Sequence, residues 1–275
     1  MTILVIGGTG LVGSRVVQAL SRRDLSVRAT SRKAAAFPAG IEGAIVDLAD
    51  PATLRDALNG VTAVFAYTEP ETAPVLAEEL SRAGVRRLVL LSSEDALHES
   101  ERSFNSRRHR EPERTIEQSG LEWTFLRPTA FASNALFWKE QIRHTATVRS
   151  PYPEAAQALI DPLDIAECAA VAFNSEALIG EAPVLTGPES LRQRRQVEII
   201  AEVIGKPVAF QPLGVNEARA MFSRFMPSEF VELKLAVLAA AEARPGMPTN
   251  SVFEITGRPP RRFCQWAEDN VDAFR

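Results

Sequence analysis

Short apolar runs alternate along the first half of the chain with stretches whose apolar residues recur at helical spacing. The apolar runs predict strands over 3–6, 26–30, 44–47, 61–67, 87–91 and 123–126. The periodic and polar stretches between them predict helices over 11–20, 51–58, 71–83 and 103–118. Regular alternation of strands and helices is typical of a parallel sheet covered on both faces. The predicted fold class is therefore α/β with a doubly wound parallel sheet.

The pattern changes after Pro128. Two further short strands are predicted over 158–161 and 183–186, followed by helices over 191–204, 227–243 and from about 262. We expect a core of residues 1–127 with a return segment 158–187. Residues 188–275 with 128–157 would form a smaller, mainly helical lobe over the substrate. Its candidate lid residues, which could equally be helix-packing core, are Phe222, Phe225, Met226, Phe230 and Met247.

Three glycines punctuate the junction between the first strand and the first helix. Gly7 permits a tight turn, Gly10 allows backbone N–H groups to approach a diphosphate, and Gly13 allows the helix to pack closely on the strand. The helix N-terminus then faces the anion. This arrangement predicts a dinucleotide-binding Rossmann fold, the alternative being a purely structural turn. The loop residues predicted to bind the cofactor are Gly7, Thr9, Gly10, Leu11, Val12 and Gly13.

The end of the second strand lacks the acidic residue that holds a ribose 2′-hydroxyl. Ser31, Arg32 and Lys33 stand there instead, and a hydroxyl with two cations suits a 2′-phosphate. The sequence therefore favours NADPH (NADP⁺) over NADH. A solvated basic loop is the alternative interpretation.

Composition excludes several other classes. The chain has 275 residues, a net charge of −4, two cysteines and three histidines. This charge gives no argument for nucleic acid, and the cysteines and histidines lack the spacing of a disulfide scaffold or a metal site. No stretch approaches the length of a membrane span, so we expect a cytoplasmic protein.

A series of motifs, in order along nearly the whole chain, resembles the NmrA-like branch of the atypical short-chain dehydrogenase/reductase superfamily. They are Gly7–Gly13, Val46–Leu48, Leu90–Ser93, Ser119–Leu121, Thr124–Pro128, Asp161–Ala166, Leu185–Glu189 and Ile255–Pro260. The resemblance implies a Rossmann sheet, a small substrate lobe and an NAD(P) ligand. It also implies that further cofactor contacts come from Asp47 and Leu48 at the adenine, Tyr67 and Thr68 near the ribose and nicotinamide, and Pro128.

The catalytic positions depart from this superfamily. The resemblance implies that Ser92 and Ser93 line the reaction cleft. Carbonyl reductases of the superfamily typically use a Tyr-x-x-x-Lys pair, and counting back from Ser119 places Asn105 at the tyrosine position and His109 at the lysine position. An amide cannot serve as the acid. His109 could hold the ribose or relay a proton, or be one more polar residue on a polar helix.

These features suggest an NADPH-dependent reductase of a ketone, quinone or enone on a bulky aromatic molecule. High arginine and alanine usage suggests a GC-rich genome, and such bacteria make many aromatic polyketides, so antibiotic biosynthesis is one hypothesis. The alternative is a non-catalytic NAD(P)-binding redox sensor that regulates a partner protein. A third is an isomerase or dehydratase that keeps its cofactor. We expect a hydrophobic small-molecule substrate and a monomer or homodimer, without nucleic-acid or membrane partners.

Overall fold

The computed structural model describes residues 1–97 and 104–275. The strands in chain order are β1 (Thr2–Val5), β2 (Ser26–Ser31), β3 (Glu42–Ile45), β4 (Ala63–Ala66), β5 (Arg87–Leu91), β6 (Glu122–Pro128), β7 (Thr147–Ser150), β8 (Ala156–Gln157), β9 (Val184–Leu185), β10 (Leu191–Arg192) and β11 (Ala209–Pro212).

The α-helices are α1 (Gly13–Ser21), α2 (Pro51–Ala57), α3 (Ala73–Arg82), α4 (Phe104–Glu117), α5 (Lys139–Thr145), α6 (Pro162–Ala172), α7 (Gln193–Ile204), α8 (Val215–Phe222), α9 (Ser228–Ala243), α10 (Ser251–Thr256) and α11 (Phe263–Asp269). Short 3₁₀ helices cover Glu94–Leu97, Ala132–Trp138, Glu176–Leu178 and Val271–Ala273. The predicted start of the fourth helix at residue 103 lies outside the described residues, as does His98.

Seven strands form one parallel sheet in the order β3-β2-β1-β4-β5-β6-β9. The strand order reverses between β1 and β4, which is the switch point where open α/β sheets bind ligands at the carboxyl ends of their strands. The prediction of a doubly wound Rossmann sheet is confirmed. In β1, Ile3, Leu4 and Val5 are fully buried, as expected for a central strand with helices on both faces.

Local capping also follows the sequence. The Asp50 carboxylate accepts a hydrogen bond of 3.1 Å from the Ala52 N–H, and Pro51 occupies the first helical turn of α2. Aspartate satisfies a free N–H there, while proline has none to lose. Gly84 follows α3 with a φ of +71°, where glycine avoids the strain of a side chain.

The chain divides into two compact units. Unit 1 comprises residues 1–128, 162–185 and 251–258, and unit 2 comprises 129–161, 186–250 and 259–275. These ranges differ from the sequence-based boundaries at residues 128, 158–161, 186–187 and 251–258. Helix α10 joins unit 1 because it packs on α6 and β9. Residues 158–161 belong to unit 2, and the strand predicted there is wrong: Ile160 makes only an isolated bridge to Phe131.

Unit 2 is mainly helical but contains two small sheets. β8 pairs antiparallel with β10, and β7 pairs in parallel with β11. Its largest core cluster surrounds the buried rings of Phe263, Trp266 and Phe274. Across the described part of the chain, no helix combines the length and hydropathy needed to span a bilayer.

Candidate functional site

The loop between β1 and α1 is held by backbone hydrogen bonds to the adjacent strand. The Gly8 N–H donates to the Thr30 carbonyl at 2.7 Å, and the Gly10 N–H donates to the Gly7 carbonyl at 2.8 Å. The Gly7 N–H lies 3.4 Å from Thr30 Oγ1. Gly7 has a φ of +75°, which side chains rarely adopt. The chain therefore turns sharply out of β1 and back into α1.

Gly13 is where the helix and the loop come closest. A Cβ atom at Gly13 would lie 2.2 Å from the Gly7 carbonyl oxygen, which is a backbone atom and cannot move aside cheaply. A Cβ atom at Gly10 would lie 3.1 Å from the same oxygen. Gly13 therefore requires glycine, and Gly10 leaves little room for a side chain, because the backbone approaches itself there.

The loop leaves backbone donors available to a ligand. Within residues 1–97 and 104–275, the N–H groups of Thr9, Leu11 and Val12 donate to no protein acceptor. They stand at the N-terminus of α1, where free N–H groups and the helix dipole favour an anion. The residues present therefore fit the diphosphate of a dinucleotide.

The basic segment lies at the carboxyl end of β2, the strand that pairs with β1. Ser31 is buried, and its hydroxyl donates to the Lys33 carbonyl. The Arg32 and Lys33 side chains are exposed. This hydrogen bond fixes the turn, and two cations beside the dinucleotide loop suit an added phosphate group.

The other predicted cofactor contacts follow neighbouring strands. Asp47, after β3, is exposed and accepts from the Ala49 N–H at 3.0 Å, while Leu48 packs against the core of unit 1. Thr68, after β4, is buried, and Pro128 ends β6. Because parallel strands end at one edge of the sheet, these residues share that edge with the glycine loop.

Tyr67, also after β4, belongs to a charged cluster with helix α4. Its phenol donates to Glu69 Oε1 at 2.7 Å, and Arg108 grips the same carboxylate with two hydrogen bonds, one of 2.6 Å from Nε to Oε2. Burial, and next the hydrogen bond to Glu69, raise the pKa of the phenol above its ordinary value. Tyr67 is therefore a weaker acid than a free tyrosine.

The two positions aligned with the missing Tyr-x-x-x-Lys pair lie on α4. The Asn105 amide donates to Asp95 Oδ2, which also accepts from Ser93 Oγ at 3.0 Å. The His109 ring centroid lies 6.2 Å from that of Tyr67. Burial lowers the pKa of His109 below its ordinary value, although the Asp95 carboxylate opposes this shift. The imidazole is therefore mainly neutral at neutral pH.

Ser92, the other predicted serine, contacts a different acid. Its Oγ donates to Glu113 Oε1 at 2.6 Å, and Arg127 donates to both oxygens of Glu113 at 2.7 and 2.9 Å. Glu113 is fully buried. Ser92 thus helps to satisfy a buried ion pair, whereas Ser93 donates, together with Asn105, to Asp95.

The sequence analysis did not predict the charged residues around the candidate site, which form hydrogen bonds with Tyr67, Ser92, Ser93 and Asn105 or with one another. These are Glu69, Asp95, Arg108, Glu113 and Arg127. The only signal was the density of charge on α4, which does not specify partners tens of residues away.

The comparisons with known proteins decide the family. A family described as NAD(P)H-binding matches residues 7–176, more than half of the chain. The chain belongs to this NAD(P)H-binding family. The resemblance to NmrA-like proteins, inferred from the motifs, is confirmed by this membership.

Two relatives are similar over nearly their entire lengths. The (4-alkanoyl-5-oxo-2,5-dihydrofuran-3-yl)methyl phosphate reductase of Streptomyces griseus is 37% identical over 290 residues, covering 99% of each chain. The NAD(P)H azoreductase of Xenophilus azovorans is 31% identical, again with 99% of each chain covered. The Citrobacter sp. triphenylmethane reductase structure matches with a TM-score of 0.85 at 17% identity, covering 99% of this chain and 100% of that one, which shows a shared fold.

This family member is an NAD(P)H-dependent oxidoreductase, as predicted. The glycine loop offers backbone donors for the dinucleotide, and α4 offers no tyrosine–lysine pair. As for metals, among the described residues no group of three or more His, Cys, Asp and Glu side chains is arranged to hold an ion.

Proposed function

We propose that the chain uses NADPH to reduce a conjugated, electron-poor acceptor, such as an enone, a quinone or an aromatic ketone, on a bulky hydrophobic molecule. The observation that carries this proposal is that neither of the two aligned side chains on α4 is available as a strong acid. Asn105 gives its amide to Asp95, and burial keeps the His109 imidazole neutral. Neither group is a strong acid, so the substrate must stabilise its own reduced anion.

Conjugated acceptors meet this requirement. Bound reduced nicotinamide supplies a hydride, and the resulting charge on an enone or quinone spreads over oxygen and ring atoms. Water can then provide the proton, so no side chain with a shifted pKa is required. The chain contributes mainly orientation, which can supply up to about 7–11 kcal/mol of the barrier reduction.

The relatives support the same substrate class. An alkanoyl-oxo-dihydrofuran and an azo compound, which the two relatives' names specify, are both conjugated acceptors. The identities of 37% and 31% over entire chains support transfer of the reaction type to this chain. They do not choose among the acceptors, and a secondary metabolite such as an aromatic polyketide stays within the proposed class.

We also propose a preference for NADPH over NADH. The support is the pair of exposed cations, Arg32 and Lys33, beside a buried Ser31 at the end of β2. A 2′-phosphate there would gain charge-assisted hydrogen bonds that a 2′-hydroxyl cannot make.

The test follows NADPH oxidation at the nicotinamide absorbance with four acceptors. They are 2-methyl-1,4-naphthoquinone, an azo dye, a 3-acyl butenolide and cyclohexanone, the last being a ketone without conjugation. We expect turnover with at least one conjugated acceptor and none with cyclohexanone. Comparable turnover of cyclohexanone would contradict the proposal. NADPH binding without oxidation by any acceptor would instead favour the redox sensor.

A further inference from the structure

Three phenylalanines of unit 2 form a ring cluster near the start of α9. The ring centroid of Phe137 lies 5.7 Å from that of Phe222 and 5.2 Å from that of Phe225. Phe222 is buried, Phe137 is half-buried, and Phe225 is 57% exposed. This phenylalanine cluster (Phe137, Phe222 and Phe225) therefore has a buried base and one ring open to solvent.

A lysine from α9 lies on this cluster. The Lys234 ammonium stands 4.3 Å from the ring centroid of Phe137 and 5.5 Å from that of Phe222. In the part of the chain that the structure describes, it makes no hydrogen bond or ion pair with a protein group. The neighbouring acid Glu232 is already engaged, since it accepts from Arg219 Nε at 2.6 Å. Among the described residues, therefore, only the rings of Phe137 and Phe222 contact the positive charge.

This environment is unusual for a lysine. The Lys234 side chain is half-buried, and this burial lowers its pKa below the ordinary value. The two other lysines of unit 2, Lys139 and Lys206, are exposed. Cation–π contacts compensate only part of the lost hydration, so a partly buried ammonium gains strongly from an anion brought to it.

We propose that Lys234 and the phenylalanine cluster form a subsite for an anionic group carried on a flat, hydrophobic molecule. The conjugated part of such a ligand would stack on the open ring of Phe225, and its phosphate, sulfonate or carboxylate would pair with the ammonium. Lysine binds such groups as a point charge, without the paired geometry that arginine imposes. This inference rests on the proposed function, because it identifies the reducible substrate as an anion.

Binding without turnover tests the subsite directly. With NADP⁺ in excess, the full-length chain is titrated in a calorimeter with 1-naphthyl phosphate and with the neutral 1-naphthol. We expect Lys234→Met to weaken binding of the phosphate at least tenfold and to change 1-naphthol binding less than twofold. Lys234→Arg, which keeps the charge, should retain most of the phosphate affinity. Lys206→Met, which removes an exposed lysine of the same unit, should bind both ligands as the wild type does.

Two results would overturn the subsite. One is unchanged affinity of Lys234→Met for 1-naphthyl phosphate. The other is an equal loss of affinity for 1-naphthyl phosphate and 1-naphthol in a Lys234→Met protein whose circular dichroism and Tm match those of the wild type. Methionine preserves the apolar stem of the side chain, so the cluster can keep its packing.

Turnover separates this inference from the proposed function. We expect Lys234→Met to raise the KM for 1,4-naphthoquinone-2-sulfonate at least tenfold, while the KM for 2-methyl-1,4-naphthoquinone and both kcat values stay within twofold. If the wild type reduces neither quinone but still shows Lys234-dependent phosphate binding, the subsite stands and the reductase proposal fails on these acceptors. If both quinones are reduced without any dependence on Lys234, the reductase stands and the subsite is wrong.

Discussion

The glycine loop (Gly7–Gly13) and the α4 cluster (Tyr67, Glu69, Ser92, Arg108 and Glu113) lie at the same edge of the sheet, yet they are built in different ways. The loop depends on backbone geometry, because Gly13 and Gly7 approach more closely than any side chain would allow. The α4 cluster depends on side-chain pairs that join distant residues, such as Glu69 with Arg108 and Ser92 with Glu113.

This difference determines which side chains each region can accept. A backbone cradle binds a diphosphate through N–H groups that every residue has, so its only strict demand is for glycine. In a side-chain cluster, by contrast, one acidic side chain can be replaced by another. Here the polar groups aligned with the missing catalytic pair, Asn105 and His109, hold or face acids instead of acting as strong acids.

The largest effect is expected where the backbone demand is strictest. Gly13→Val would force a Cβ atom to within 2.2 Å of the Gly7 carbonyl and open the loop. We expect loss of measurable NADPH binding by calorimetry, together with a lower Tm. Gly10→Ala, with 3.1 Å of clearance, should fold and weaken binding to a smaller extent.

Gly214→Ala is the matched control for this prediction. Its φ of −63° suits any residue, and its Cβ atom would lie 3.5 Å from a flexible Glu217 oxygen. NADPH binding should therefore be unchanged. Undiminished binding by Gly13→Val would show that the loop does not grip the dinucleotide.

The two ion pairs of α4 should differ in their contribution to stability. Arg127→Gln leaves the fully buried Glu113 without its bidentate partner and should lower the free energy of unfolding by about 3–5 kcal/mol. Arg108→Gln affects Glu69, which is 34% exposed, and should cost no more than about 1 kcal/mol. Urea unfolding of both variants measures the difference. Equal losses of unfolding free energy would contradict the distinction between the buried Arg127–Glu113 pair and the accessible Arg108–Glu69 pair.

Cofactor choice should respond to the basic turn after β2. The double variant Arg32→Asp, Lys33→Asp places negative charges near a 2′-phosphate and should weaken NADPH binding at least about tenfold, or about 1.4 kcal/mol. NADH affinity should change much less, and the double variant Lys139→Asp, Lys206→Asp, at two exposed positions of unit 2, controls for the same change in net charge. Parallel losses for both nucleotides would show that the turn does not read the phosphate.

The smallest effect concerns pH. Burial opposes ionisation of Glu69, but hydrogen bonds from Arg108 and Tyr67 hold its pKa below the ordinary value of 4.5. A carboxyl whose folded-state pKa is depressed stabilises the fold above its unfolded pKa and loses that contribution as the pH falls through the folded value. Glu69→Gln should therefore be less stable than wild type at pH 7, with the gap closing below about pH 4.5.

Urea titrations at several pH values measure this gap. Glu71→Gln, an exposed residue two positions along the same loop, is the control. A gap that stays constant or widens in acid would contradict the predicted role of the Glu69 carboxylate.

The parallel sheet and the glycine loop were predictable because local patterns specify them. Buried strands such as Leu88–Leu90 form continuous apolar runs, and Asp50 with Pro51 marks the start of a helix. The short strands of unit 2 were not predictable. β7 and β11 stabilise each other across about sixty residues of chain, and neither has a distinct apolar alternation.

The candidate site shows the same division. Position along α4 identified Asn105 and His109, but nothing local shows that Asn105 binds Asp95. The candidate lid residues also differ in how far they are exposed. Phe222 is 1% exposed and belongs to the core, whereas Met247 is 78% exposed. Nothing in the alanine-rich sequence of α9 marks Lys234, and only the folded chain places its ammonium over the ring of Phe137.

The turnover of a conjugated acceptor shows most directly whether α4 supplies an essential acid. The double variant Asn105→Ala, His109→Ala is compared with wild type for kcat with whichever conjugated acceptor proves best, NADPH being saturating. We expect kcat to fall less than about tenfold, which corresponds to about 1.4 kcal/mol. A loss of about 10²–10⁴-fold, the usual contribution of a general acid, would contradict it.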